Sequence, residues 1–191
     1  MLTDHHSANR TTVLAIVAAV TCLSLTSCTT VSAQDDATPS TSGSSGPPRA
    51  ADGVLPDHTS AYDTDLPGIA KLDPALRKAV QRAETAMQDD GIKMQVTTGW
   101  RSKKYQEELL DKAIRKYGSK KKALEYVAEP DASHHVTGHA VDIGPTNADD
   151  WLIRHGSRYG LCQTLSNEIW HFELVTEPGD DCPPMTDPTK S

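Results

Sequence analysis

Two short stretches, Ser133-His134-His135-Val136-Thr137-Gly138-His139-Ala140-Val141-Asp142 and Glu168-Ile169-Trp170-His171, concentrate imidazole and carboxylate donors. Zinc takes such donors, and a catalytic zinc site uses three protein ligands with the fourth position left to water. His135, Asp142 and His171 can supply three ligands, and Glu168 can take a proton from the water. Gly138 interrupts the first stretch, and Ala140-Val141-Asp142-Ile143 reads as a short buried strand whose side chains alternate between faces. Asp142 then shares a face with Ala140 and not with His139. That parity argues against a His139/Asp142 pair and leaves His135 or His134, on the preceding loop, to fold back toward the metal. In the second stretch Trp170, Phe172 and Leu174 alternate with His171, Glu173 and Val175, so a strand buries the aromatic face and presents His171 on the other. Glu168 has the wrong parity for that strand, and a turn at Ser166-Asn167 is expected to deliver it from a loop, over the metal.

The elements around these stretches are helices and strands in alternation. Asp73-Pro74 supplies an N-cap and a first-turn proline, Leu76, Ala79, Val80, Ala83, Ala86 and Met87 trace one apolar stripe, and Gly91 ends the helix. Ile92, Met94 and Val96 alternate as a strand that leads into Gly99-Trp100-Arg101, placing Arg101 at a strand end. A second helix spans Ser102 to Tyr117, Lys120-Lys121-Lys122 begins a third short one with a solvated face, and Asp149-Asp150 start another that ends at Gly156. Trp151 and Trp170 read as core packing. Gln106, one helical turn beyond Arg101, faces either substrate or solvent. The folded region is expected to be α+β, a small antiparallel sheet carrying the zinc site and flanked by helices.

S-x-H-x-x-G-x-A-x-D followed by E-x-W-H resembles the signature of the D-alanyl-D-alanine carboxypeptidase and dipeptidase family of zinc peptidases, which includes the vancomycin-resistance D,D-peptidases. Gly99-Trp100-Arg101-Ser102 matches the family's G-[YW]-R-S segment, and the similarity runs from roughly Leu66 to Val175. The resemblance implies that His135, Asp142 and His171 bind zinc, that Glu168 is the catalytic base and that Ser133 stands beside the substrate; it selects His135 over His134. It further implies the terminal D-Ala-D-Ala bond of a peptidoglycan stem peptide as substrate, hydrolysed by a D,D-carboxypeptidase. Arg101 offers donors for a developing oxyanion or for the substrate's terminal carboxylate. The same constellation serves a peptidoglycan endopeptidase or a D,D-dipeptidase. A zinc-binding surface module without turnover is a further alternative, against which Glu168 and Arg101 count.

Composition bounds the remainder. A chain of 191 residues with 37% hydrophobic content allows one domain plus unpacked extensions, and its net charge of −7 argues against a nucleic-acid partner. Arg10 precedes the apolar run Val13 to Val20, too short to span a bilayer and ordered like a secretory signal. Leu25-Thr26-Ser27-Cys28 resembles a lipobox, so residues 1–27 are expected to leave and Cys28 to carry lipid, with cleavage after Ala33 as the alternative. Cys162 and Cys182, 20 residues apart, then remain as a pair in an oxidising compartment. Their disulfide would contribute about 3 kcal/mol in the chain-entropy model. Residues 28–60, rich in Ser, Thr, Gly, Pro and Asp, read as a disordered tether with a span of roughly 30 Å. The peptidase domain is expected over 61–185 and a flexible tail over 186–191. The expected setting is the outer face of a bacterial membrane or the secreted space, as a monomer bound to the membrane through its lipid.

Overall fold

The computed structural model describes residues 47–190. The signal segment, Cys28 and the first part of the tether lie outside the described residues. Six α-helices and four strands follow in order: α1 (Pro67–Ala70), α2 (Pro74–Asp89), β1 (Gln95–Thr98), α3 (Lys103–Tyr117), α4 (Lys120–Ala123), α5 (His134–Thr137), β2 (Ala140–Gly144), α6 (Thr146–His155), β3 (Leu161–Gln163) and β4 (His171–Leu174). The strands form one antiparallel sheet in the order β1-β2-β4-β3, with helices around it, so the α+β expectation holds.

α2 begins where Asp73 caps it, its carboxylate accepting from the amides of Ala75 at 2.9 Å and Leu76 at 3.0 Å. Its stripe of Leu76, Ala79, Val80, Ala83 and Met87 is buried against the sheet together with Val141, Ile143, Leu152 and Phe172. Along β4 the alternation sends Phe172 into this core and leaves His171 and Glu173 for the opposite face. Ser102 caps α3, accepting from Tyr105 at 3.1 Å, and Gly118 closes that helix with φ +79°. α3 and α4 share a separate small cluster built on Leu110, Ala113 and Ala123.

Four expectations are corrected. The folded region starts before residue 61, because the end of the expected tether is fastened by polar contacts: the carboxylate of Glu84 accepts from Ser60 Oγ and the Ala61 amide, each at 2.8 Å, and Val96 donates to the Thr59 carbonyl at 2.8 Å. Trp170 is 43% exposed, since β4 begins only at His171 and the period of two does not extend back through the preceding turn. Trp151 is buried as expected, and its indole donates to Asp90 at 2.7 Å. α6 starts at Thr146, three residues ahead of the Asp149-Asp150 pair. Residues 134–137, expected as loop, make the short helix α5, closed by Gly138 at φ +78°; a Cβ there would stand 2.5 Å from the Lys71 carbonyl.

Candidate active site

Strand register brings the first two donors together. Asp142 of β2 stands directly opposite His171 of β4, and Thr98 of β1 faces Asp142 from the other side. α5 adds His135, whose imidazole is anchored where Nδ1 donates to the Gly99 carbonyl at 2.9 Å. Nε2 is thereby left as the free lone pair of His135. On His171 the assignment is reversed: Nε2–H donates to Glu173 Oε1 at 2.9 Å and Nδ1 turns inward. His135 Nε2, His171 Nδ1 and Asp142 Oδ1 form a triangle with all three sides 3.2 Å. Ligands at zinc–nitrogen and zinc–oxygen bond lengths of about 2.0–2.1 Å with tetrahedral angles stand about 3.3 Å apart. These three atoms therefore fit one face of a tetrahedral zinc site, and they are the group of buried donors among the described residues able to hold a metal.

The electrostatics agree with that reading. Burial alone would raise the Asp142 carboxyl, yet the adjacent His135 and His171 hold it far below the usual carboxylate range. Burial pushes His135 down against the pull of Asp142. Burial also opposes charge on His171, but its hydrogen bonds to Asp142 and Glu173 outweigh that and push it up to about 9. The triangle is thus a buried place with a strong preference for positive charge.

Glu168 lies on the turn before β4, where His171 N donates to the Glu168 carbonyl at 3.2 Å. Its Oε2 is 3.8 Å from His171 Nδ1, beside the triangle and outside it. Burial pushes its carboxyl up, with His171 and Arg101 pulling the other way. Arg101 reaches the opposite carboxylate oxygen of Asp142, Nη2 to Oδ2 at 3.4 Å, while Nη1 donates to Gln106 Oε1 at 3.1 Å. Its Nε is buried and has no hydrogen-bond partner. Gln106 does not face solvent, being 2% exposed; it lines the cleft, and its Nε2 donates to the Ala128 carbonyl at 2.8 Å. It holds Arg101 in place. Ser133 is buried at the head of α5 and lines the same 650 Å³ cleft as Arg101, Glu168 and the triangle. His139 is exposed, its ring Nδ1 bonded to Thr137 Oγ1 at 2.9 Å, and His155 packs its ring against Trp151 at a tilt, away from the cleft.

One residue of this arrangement was not singled out by its sequence pattern. Glu173, buried, accepts from His171, from Thr164 Oγ1 at 2.9 Å and from His134 Nδ1 at 2.7 Å, and these contacts hold its carboxyl at about 2 despite burial. Its position two residues beyond His171, on the same strand face, was the available signal. His134, largely exposed, is the outer partner of Glu173 and no metal ligand.

The family model described as VanY, D-alanyl-D-alanine carboxypeptidase, matches residues 69–180. The chain belongs to the VanY family. A D-alanyl-D-alanine carboxypeptidase of Enterococcus faecalis is 28% identical over an alignment of 145 residues that covers 60% of this chain and 53% of that relative. The chain thus spans about half the length of the curated relative it matches. Among solved structures, a mutant of the vancomycin-resistance D,D-pentapeptidase VanY in complex with Zn(II) superposes with a TM-score of 0.52 at 26% identity, covering 55% of this chain and 72% of that one. VanYB in complex with D-alanine-D-alanine superposes equally, with a TM-score of 0.52, 26% identity, and 55% and 71% of the two chains.

Proposed function

We propose that this VanY-family chain is a zinc-dependent D,D-carboxypeptidase that removes the terminal D-alanine from peptidoglycan stem peptides. The observation that carries the reading is the placement of Glu168 and Arg101 on two sides of the His135–Asp142–His171 triangle, within one cleft. A zinc ion held by those three residues would act as a Lewis acid and lower the pKa of water toward about 7. Glu168 accepts the proton of the attacking water and returns it to the leaving amine, as its partly buried position and raised pKa suit. Arg101, braced by Gln106 and Asp142 and lining the cleft, binds the terminal carboxylate of the peptide through its guanidinium. Ser133 completes the polar lining. Glu173 and the Gly99 carbonyl keep the two imidazoles in the tautomers that free His171 Nδ1 and His135 Nε2.

The Zn(II) complex and the D-alanine-D-alanine complex among the similar structures support metal and substrate class alike. An exported, wall-facing setting with lipid on Cys28 accords with the Cys162–Cys182 disulfide, since such bonds persist in oxidising compartments. The test is incubation of the purified chain with zinc and a stem pentapeptide ending in D-Ala-D-Ala, followed by mass spectrometry. Loss of one alanine is expected. Loss of two together would make the chain a dipeptidase, an internal cut an endopeptidase, and an intact peptide on zinc-loaded protein a binding module.

A further inference from the structure

The family match stops at residue 180, but the cleft continues beyond it. Pro183, Pro184 and Thr186 line it along with Arg101, Glu168 and His171. This segment is fastened at both ends, so Thr186 does not begin the flexible tail expected over 186–191. At one end Cys182 is bonded to Cys162 of β3. At the other, Thr186 pairs in parallel with Leu165: its amide donates to the Thr164 carbonyl at 2.9 Å, and Ser166 N donates to the Thr186 carbonyl at 2.9 Å. Thr186 Oγ1 adds a bond to the Thr164 carbonyl at 3.2 Å. Residues 164–166 lead directly into the turn that carries Glu168, so the segment is tied to the chain next to the base.

Three features point to what such a strap does. The donors and guanidinium are buried, whereas Pro183 to Thr186 are exposed, so a peptide that sinks its terminus toward Arg101 meets the strap with its upstream part. Pro183 and Pro184 carry no N–H and have φ fixed near −65°, so they offer a stiff apolar wall that makes no demand on the peptide's own hydrogen bonds. Thr186 already occupies the Thr164 carbonyl and the Ser166 amide, which removes that edge from main-chain pairing with a substrate strand. Recognition along this wall therefore works through the shape of side chains.

We propose that residues 183–186 are a specificity-determining strap that contacts the part of a stem peptide upstream of the scissile bond, and that the Cys162–Cys182 bridge keeps it against the cleft. This rests on the peptidase reading above. The test compares wild type, Pro183→Gly/Pro184→Gly and Cys162→Ser/Cys182→Ser, all loaded with zinc, on a stem pentapeptide and on N-acetyl-D-alanyl-D-alanine. The ratio of kcat/KM for the long over the short substrate should fall roughly 10-fold in both variants, the scale of a lost apolar contact in a pocket, while zinc content stays at wild-type level. An unchanged ratio in the proline variant, which keeps the disulfide and its fold, would overturn the strap. So would a fall confined to the cysteine variant, which would report general loosening. Affinity for a fluorescent pentapeptide, measured in parallel, separates this inference from the one beneath it. Weaker binding by the proline variant with no turnover by wild type would sink the peptidase reading and keep the strap; wild-type turnover with equal ratios would do the reverse.

Discussion

Beneath β2 and β4 lies the larger apolar cluster, from Ile69 of α1 through Val80 and Val141 to Phe172, whereas α3 and α4 share only Leu110, Ala113 and Ala123 with Ile114, Tyr117, Leu124 and Val127 around them. The first cluster backs the strands that bear Asp142 and His171. The second backs the cleft wall at Leu109, Tyr126 and Val127 and the helix that bears Gln106. Metal ligands that must hold a triangle 3.2 Å on a side need the stiffer support, and they have it. A cleft wall that need not hold ligand atoms at fixed spacing can rest on a smaller core, which opens at lower free energy. Arg101 spans the two, with one bond to Asp142 and one to Gln106.

The largest effects should come from the sheet side. His135→Ala, Asp142→Ala and His171→Ala should each lose most of the zinc by elemental analysis and all measurable hydrolysis, while His139→Ala keeps about one zinc per chain and its activity. Full zinc in the His171 variant would break the assignment of rigid ligands to β2 and β4. Next, Glu168→Gln should retain zinc yet lose at least about 10²-fold in turnover, because the group handles protons and not metal; loss of zinc as well would move Glu168 into the ligand set.

A smaller effect is expected where the two regions meet. Arg101→Ala should raise KM for the free-acid pentapeptide by roughly 10-fold or more, the worth of hydrogen bonds to a charged group, with kcat less affected. Wild type should discriminate strongly against the C-terminally amidated peptide and the variant should not; equal cleavage of both by wild type would contradict the carboxylate role. Finally, Leu110→Ala and Phe172→Ala should each lower stability, by about 2–3 and about 3–5 kcal/mol, but with different consequences. Loosening under Phe172 should weaken zinc binding, whereas loosening under Leu110 should leave zinc alone and raise KM. Identical zinc affinities in the two variants would erase the distinction between the cores.

Much of the site was readable because its chemistry sits in two local segments whose strand parity needs no tertiary information. Asp142 on β2 and His171 on β4 follow from alternation, and Glu168 on a turn follows from failing it. Glu173 was less readable: its carboxylate acquires a role only once β4 pairs with β2 and α5 sets His134 nearby. Trp170 misled because alternation was carried one residue past the strand's start. Gln106 gave a helix position but no hint that Arg101 would turn back onto it. Residues 49–60 looked unfit to fold because their composition is poor in apolar side chains, yet polar bonds to Glu84 and from Ser102 hold them. The expectations for residues 1–46 remain those of the sequence.

Those bonds also define how small a working fragment can be. Asp52 accepts from Ser102 Oγ through its carboxylate and from Ser102 N through its carbonyl, both at 2.8 Å, and Ser102 immediately follows Arg101. Gly53, at φ +96°, lies so close to the Trp100 carbonyl that a Cβ there would overlap it. The lead-in chain is therefore a bracket behind the arginine. Trimming it back to residue 61 would leave the triangle's own residues intact but remove the contacts that Asp52 and Gly53 make with Ser102 and Trp100, on either side of Arg101.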